Sequence, residues 1–233
     1  MADAGNSLDI FVETSNKKVF VGVIEWPGWI RWGREEAQAL EALFHAGPRY
    51  AAALDSTGLG VHTPHRVDAF KIVERHEGNA TTAFGAPDAE LLTDSEGVDE
   101  KELERFHTIL QAGWSALDSA IDSAQGHELR KGPRGGGRSL IHIIDHLIMA
   151  DKHYLKRIGW KVAKALDSLD GVKALNSLRA EILAGLTASA HGDLPTVGPR
   201  GGKRWTTRFF IRRVAWHTLD HAWEIEDRIP AVI

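Results

Sequence analysis

The feature that most constrains this chain is an uninterrupted helical pattern near its end. No Gly or Pro occurs from Trp205 to Ile229, and apolar residues recur there three and four apart, which predicts an amphipathic helix. At about 100° per residue, Phe210, Val214, His217, His221 and Glu224 share one stripe. A line that begins as core thus continues in polar side chains. Two neutral imidazoles four residues apart on a helix can direct lone pairs at a single ion, the arrangement that suits zinc and similar metals. The same spacing also serves hydrogen-bonded core histidines, and a third ligand is what separates the two readings.

Three further helical patterns precede this one. Leu103, Phe106, Leu110, Trp114, Leu117 and Ile121 repeat three and four apart. Ser139 to Ile158 forms the second helix, and Val172 to Leu186 the third, with Leu175, Leu178, Ile182 and Leu186 on its face. With Thr206 to Ile229 as the fourth, an all-α four-helix bundle is expected over residues 98–233. The second helix carries His142, His146 and His153 within about 40° of each other in projection. At about 1.5 Å per residue, His142 and His153 are roughly 16 Å apart, so one ion cannot take all three. Measured from starts near Ser139 and Thr207, His217 and His221 lie roughly 15 to 21 Å along their helix. His146 lies about 10 Å along its own and His153 about 21 Å. If the two helices start level, His142 is disfavoured, while His146 and His153 both stay open.

The first third reads differently. Leu8 to Thr14 and Lys18 to Trp26 are rich in Val, Ile and Phe, with Ser15-Asn16-Lys17 as a hairpin turn between them. After the break at Trp26-Pro27-Gly28-Trp29, Ile30-Arg31-Trp32 is a short third strand. A helix opens at Gly33-Arg34-Glu35-Glu36, presents Ala37, Leu40, Leu43 and Phe44, and is expected to end at Gly47-Pro48, with one more turn to Leu54. Val67 to Arg75 reads as another strand. Residues 1–77 are therefore expected to be a small α+β domain. Residues 78–97, rich in Gly, Ala, Thr, Asp and Glu, are expected to be a linker or a loop packed over the second domain.

Composition narrows the function classes. The chain has 233 residues, a net charge of −4 and no cysteine. Thiolate ligands, disulfides and a cysteine nucleophile are excluded together, so any thiol chemistry needs an external thiol. The acidic balance gives no bulk attraction to nucleic acid or anionic membrane, and neither is expected as a partner. The N-terminus lacks a basic segment followed by an apolar one, and no apolar run reaches spanning length. The default location is cytoplasmic.

Two family resemblances attach to particular residues. Lys18-Val19-Phe20-Val21-Gly22-Val23, Trp26-Pro27-Gly28-Trp29, Gly33 and the Glu35-Glu36-Ala37 helix start resemble the HicB-like antitoxin fold over about forty residues. That resemblance implies an accessory domain, with partner binding as its second use. Ser139-Leu140-Ile141-His142-Ile143-Ile144-Asp145-His146-Leu147, with Tyr154-Leu155, is similar to the second helix of the DinB-like superfamily. Arg213 to Glu224 is similar to that superfamily's last helix, and the likeness covers Val98 to Ile233. The superfamily includes metal-dependent thiol transferases and mycothiol-dependent maleylpyruvate isomerases. In its pattern a His before Leu on the second helix joins the His-x-x-x-His of the fourth. Carried over position by position, the resemblance implies His146, His217 and His221 as ligands of one divalent ion, zinc or nickel. Three protein ligands leave positions open, as catalytic sites do. Glu224, one turn beyond His221, is the catalytic candidate: it can orient a ligand, bind the ion, act as a base, or close a salt bridge at the bundle end. Asp145 and Asp220 point about 100° away from their neighbouring histidines and suit backbone or second-layer contacts.

A further feature comes from this chain alone. Gly132-Pro133-Arg134-Gly135-Gly136-Gly137-Arg138 and Gly198-Pro199-Arg200-Gly201-Gly202-Lys203-Arg204 are nearly the same heptapeptide, each directly before a His-bearing helix. In an up-down-up-down bundle both loops lie at one end, where Arg134, Arg138, Arg200 and Arg204 would grip an anionic cofactor or substrate above the metal. The expected function is a metal-dependent transferase or isomerase using a low-molecular-weight thiol cofactor and a small anionic substrate; a homodimer is compatible with it. The alternative is a non-enzymatic metal-binding or partner-binding protein that uses the HicB-like domain as its surface.

Overall fold

A computed structural model describes residues 7–131 and 137–230. The chain divides into two compact units, Met1–Ser95 and Glu96–Ile233. Among the described residues no helix is long and apolar enough to cross a membrane.

The first unit is a four-stranded sheet with a long helix. Strands β1 (Leu8–Thr14), β2 (Val19–Val23), β3 (Ile30–Gly33) and β4 (Phe70–Glu77) lie in the order β3-β2-β1-β4. β1 and β2 pair antiparallel across a turn in which the Ser15 hydroxyl accepts the Lys18 N–H at 3.1 Å. β4 pairs parallel to β1, which demands a crossover, and helix α1 (Glu36–Leu54) lies within it. Gly22 in β2 leaves room for the Phe11 ring, which a Cβ there would meet at 2.5 Å.

Two expectations for this unit are corrected. α1 does not end at Gly47-Pro48 but runs through Pro48 to Leu54. The cause is packing around Trp29: its indole N–H donates to the Leu43 carbonyl at 2.9 Å, and its ring stacks on Tyr50 at 5.4 Å. A Cβ on Gly47 would sit 2.8 Å from that ring, so Gly47 serves close approach rather than termination. The boundary after residue 77 also moves. The short helix α2 (Ala80–Phe84) and the turn at Leu92–Ser95 belong to the first unit. The fully buried Glu13 carboxylate accepts from the Thr82 hydroxyl and from the Asp88 N–H at 2.9 Å, and Leu92 N–H donates to Glu74 at 3.0 Å. A buried carboxylate must be hydrogen-bonded, and this segment supplies the donors.

Among the described residues the second unit contains four long helices: α3 (Glu100–Ser123), α4 (Leu140–Ile158), α5 (Gly171–Ala190) and α6 (Thr207–Arg228). Three of them start at side-chain caps: Asp99 accepts from Glu102 N–H, Ser139 from His142 N–H and Thr206 from Phe209 N–H. Cross-links fix their directions. Arg208 holds Glu102 at 2.6 Å, and Gly113 faces Thr218 and Leu219, so α3 and α6 run parallel. Arg179 holds Asp118 at 2.6 Å and Thr187 meets His107 at 3.2 Å, so α5 opposes α3. His146 meets His217 while Tyr154 meets Arg213, so α4 opposes α6. The helices run up, down, down, up.

This corrects the level start assumed for the second and fourth helices. Because α4 and α5 are parallel, residues 159–170 must return along the helix length, and they do so through a 3-10 turn at Lys164–Ser168. α6 is buried on nearly every side, from Phe209 through Leu219, with Trp223 and Ile225 beyond. A helix buried all round lies in the middle of its unit, so polar groups on it are desolvated whichever way they point.

Candidate metal centre

α6 brings His217 and His221 to one face, and α4 lays His146 against them. The Nε2 atoms of His217 and His146 are 3.1 Å apart, as are those of His221 and His217. One ligand atom from each of the three lies within 4.8 Å of the others. Three imidazoles on one tetrahedral zinc, with Zn–N near 2.0–2.1 Å, place their nitrogens about 3.3 Å apart. The trio fits a divalent ion on that measure.

Their protonation fits as well. Burial holds His146 down to about 4, reinforced by the charges of His221 and Arg138 and opposed by Glu224. Burial holds His217 well below the usual imidazole value, followed by His221, His146, Arg213 and Arg138. Both are neutral at pH 7, so each has a lone pair to give.

Glu224 is not aimed at the convergence point. Its Oε2 accepts from His221 Nδ1–H at 2.7 Å, and its Oε1 accepts from Arg228 at 2.6 Å. That bond leaves the His221 Nε2 lone pair facing the other two imidazoles. Burial alone would raise the Glu224 carboxyl, but the His221 hydrogen bond and the charges of His221 and Arg228 outweigh it and hold it below its usual value. Arg228 is in turn fixed by the carbonyls of Arg130 and Arg138 at 2.8 and 2.7 Å. Sequence reasoning missed Arg228, although its spacing of four from Glu224 was visible. His217 Nδ1 is buried and has no hydrogen-bond partner among the described residues. Tyr154 packs beside the trio. Its ring meets His217 edge-on at 5.6 Å and Trp205 at 5.3 Å, starting an aromatic column that leads away from the histidines.

The other candidates separate. His142 sits on the exposed first turn with Nδ1 3.0 Å from the Ser139 hydroxyl. His153 lies towards the opposite end of α4. The antiparallel course selects His146 over both: from the α6 end, His221 and His217 are about 10 to 17 Å deep, and His146 is about 10 Å deep from Ser139. The depth comparison, made on a level start, left His146 and His153 both open, and the antiparallel course separates them. The described arginines do not meet at one anion site. Arg138 joins the α6 C-terminus through its carbonyl, whereas the Arg204 side chain donates to the Lys156 carbonyl at 3.4 Å, at the α4 C-terminus. Arg200 lies beside it. Arg138 and the 198–204 segment flank opposite ends because α4 and α6 are antiparallel. Arg134 lies outside the described residues.

The family model of the DinB superfamily matches residues 109–225, half of the chain, from mid-α3 to the end of α6 and including all three histidines. No curated protein and no solved structure is significantly similar to the chain. A helical unit with three converging imidazoles and a match over that span leave one conclusion: this chain belongs to the DinB superfamily.

Proposed function

We propose that the second unit is a DinB-type four-helix bundle whose His146, His217 and His221 hold one divalent ion, zinc or nickel, for a transferase or isomerase that uses an external low-molecular-weight thiol. The observation that carries this is the convergence of three Nε2 atoms at about zinc-ligand spacing. The ion supplies Lewis acidity, which lowers the pKa of a thiol or water. Glu224 holds the His221 tautomer rather than acting as a base, since both its oxygens are engaged. Burial of His217 and His221 excludes bulk water from one side of the centre. The absence of cysteine makes the thiol external.

In this reading the HicB-like unit is an accessory domain on a cytoplasmic enzyme, and the substrate is a small anion. Metal analysis of the purified protein tests the first step, with about one ion per chain expected. Thiol-transfer assays with mycothiol, glutathione and related thiols, with and without chelator, test the second. Stoichiometric metal without any chelator-sensitive transfer would leave a metal-binding protein and end the enzymatic reading.

A further inference from the structure

Beyond the last turn of α4 lies a cavity of about 480 Å³ that the metal reading does not use. Its walls are the end of α4 and the hairpin at residues 197–203, in which Val197 pairs antiparallel with Lys203. Six cationic side chains line it: Lys156, Arg157, Lys161, Arg200, Lys203 and Arg204. No Asp or Glu does. In a protein of net charge −4, gathering that many like charges costs repulsion.

Some of these charges have structural work. Arg204 donates to the Lys156 carbonyl at 3.4 Å and so answers the negative end of the α4 dipole. Arg157 lies over the Trp205 ring at 5.2 Å. Lys156, Lys161 and Arg200 have no such role: no carboxylate pairs with them among the described residues. The cavity is also built. Gly198 N–H donates to the Gly202 carbonyl at 2.8 Å, Gly201 N–H to the Gly198 carbonyl at 2.9 Å, and Trp205 N–H to the Arg157 carbonyl at 3.1 Å, which ties the hairpin to α4. Gly201 takes φ +80, a conformation that closes the loop and favours glycine. Trp160 forms a flat wall, held by its indole N–H on Glu181 at 2.5 Å.

We propose that this pocket binds a small soluble polyphosphate anion, with Lys156, Lys161 and Arg200 on its phosphates. The volume suits a diphosphate or nucleotide-sized ligand. A long polyanion such as RNA would run off the cavity onto the acidic remainder of the surface, which favours a compact ligand. The site lies about 10 to 20 Å along α4 from His146 and does not depend on the metal reading.

Titration calorimetry with inorganic pyrophosphate at 150 mM salt tests it. Saturable binding near one per chain is expected, and Lys161→Ala/Arg200→Ala should weaken it ten- to hundred-fold. His217→Ala/His221→Ala should leave it unchanged, which separates this pocket from pyrophosphate bound at the metal. Circular dichroism checks that the pocket variant is folded; if it is not, Lys156→Met alone should still weaken binding several-fold. Affinity within twofold of wild type in the folded pocket variants, or loss in the histidine variant, overturns the proposal. So does binding of single-stranded RNA or of phosphoinositide vesicles that pyrophosphate does not displace.

Discussion

Near the start of α4, His146 packs against His217 and His221 of the central helix, and burial holds His146 and His217 neutral. Past the end of the same helix, six cationic side chains stand around an open cavity. Almost the same glycine-arginine heptapeptide precedes α4 at one end and α6 at the other. The difference lies in what the neighbouring helix presents. At the histidine end, α6 supplies His217, His221, Glu224 and Arg228, and the Arg138 carbonyl is consumed in holding Arg228. At the far end, α4 supplies Lys156 and Arg157, whose charges add to those of the loop. A repeated segment therefore tells little about function until the direction of the helices around it is known.

The strongest test removes one end's chemistry and leaves the other intact. His217→Ala/His221→Ala should reduce metal from about one ion per chain to a small fraction, read by mass spectrometry of the purified protein. Full metal retention in that variant would break the assignment. His142→Ala should leave the metal content unchanged, since that side chain is spent on Ser139.

Between the two ends lies Asp151, whose carboxyl burial pushes up to about 7, partly countered by the charge of Arg179. Its Oδ1 is buried without a hydrogen bond among the described residues. The unfolded chain releases this proton above about 3.9, whereas the folded one keeps it to about 7. This group's contribution to stability therefore falls as pH rises from about 4 to 7 and is level above that, a change on the order of 4 kcal/mol. Asp151→Asn should flatten that slope in denaturant melts at pH 5 and pH 8. An unchanged slope would mean that the carboxyl ionises freely inside the unit.

Glu224→Gln sharpens the comparison at the histidine end alone. It weakens the acceptor on His221 Nδ1 and the pairing with Arg228. Outer-layer partners of this kind affect metal affinity by roughly ten- to hundred-fold, so chelator competition should show a loss in that range. Pyrophosphate binding at the other end should not change. The smallest effect is expected from the caps, one at each end. Ser139→Ala and Thr206→Ala each remove an acceptor for a first-turn N–H and should cost about 1 kcal/mol in denaturant melts. Neither should alter metal stoichiometry. A cap variant that lost metal would tie that helix start to the centre.

Legibility followed the range of the forces involved. The α6 pattern reads directly from Trp205 to Ile229 because periodicity is local, and the observed helix, Thr207–Arg228, departs by a residue or two. Pro48 reads locally as a helix end, and only Trp29, nineteen residues earlier, reveals why the helix continues. Glu13 looked like an ordinary strand residue. Its burial depends on Thr82 and Asp88, far along the chain.

By itself the sequence determined that four amphipathic segments pack on one another, that His217 and His221 share a face, and that no thiol of the protein's own takes part. Spacing of three or four residues and composition suffice for those conclusions. It did not determine helix direction, because a hydrophobic stripe packs equally well on a parallel or an antiparallel neighbour. Tertiary structure decided that α4 opposes α6. That choice put His146 level with His217 and sent Arg138 and Arg204 to opposite ends.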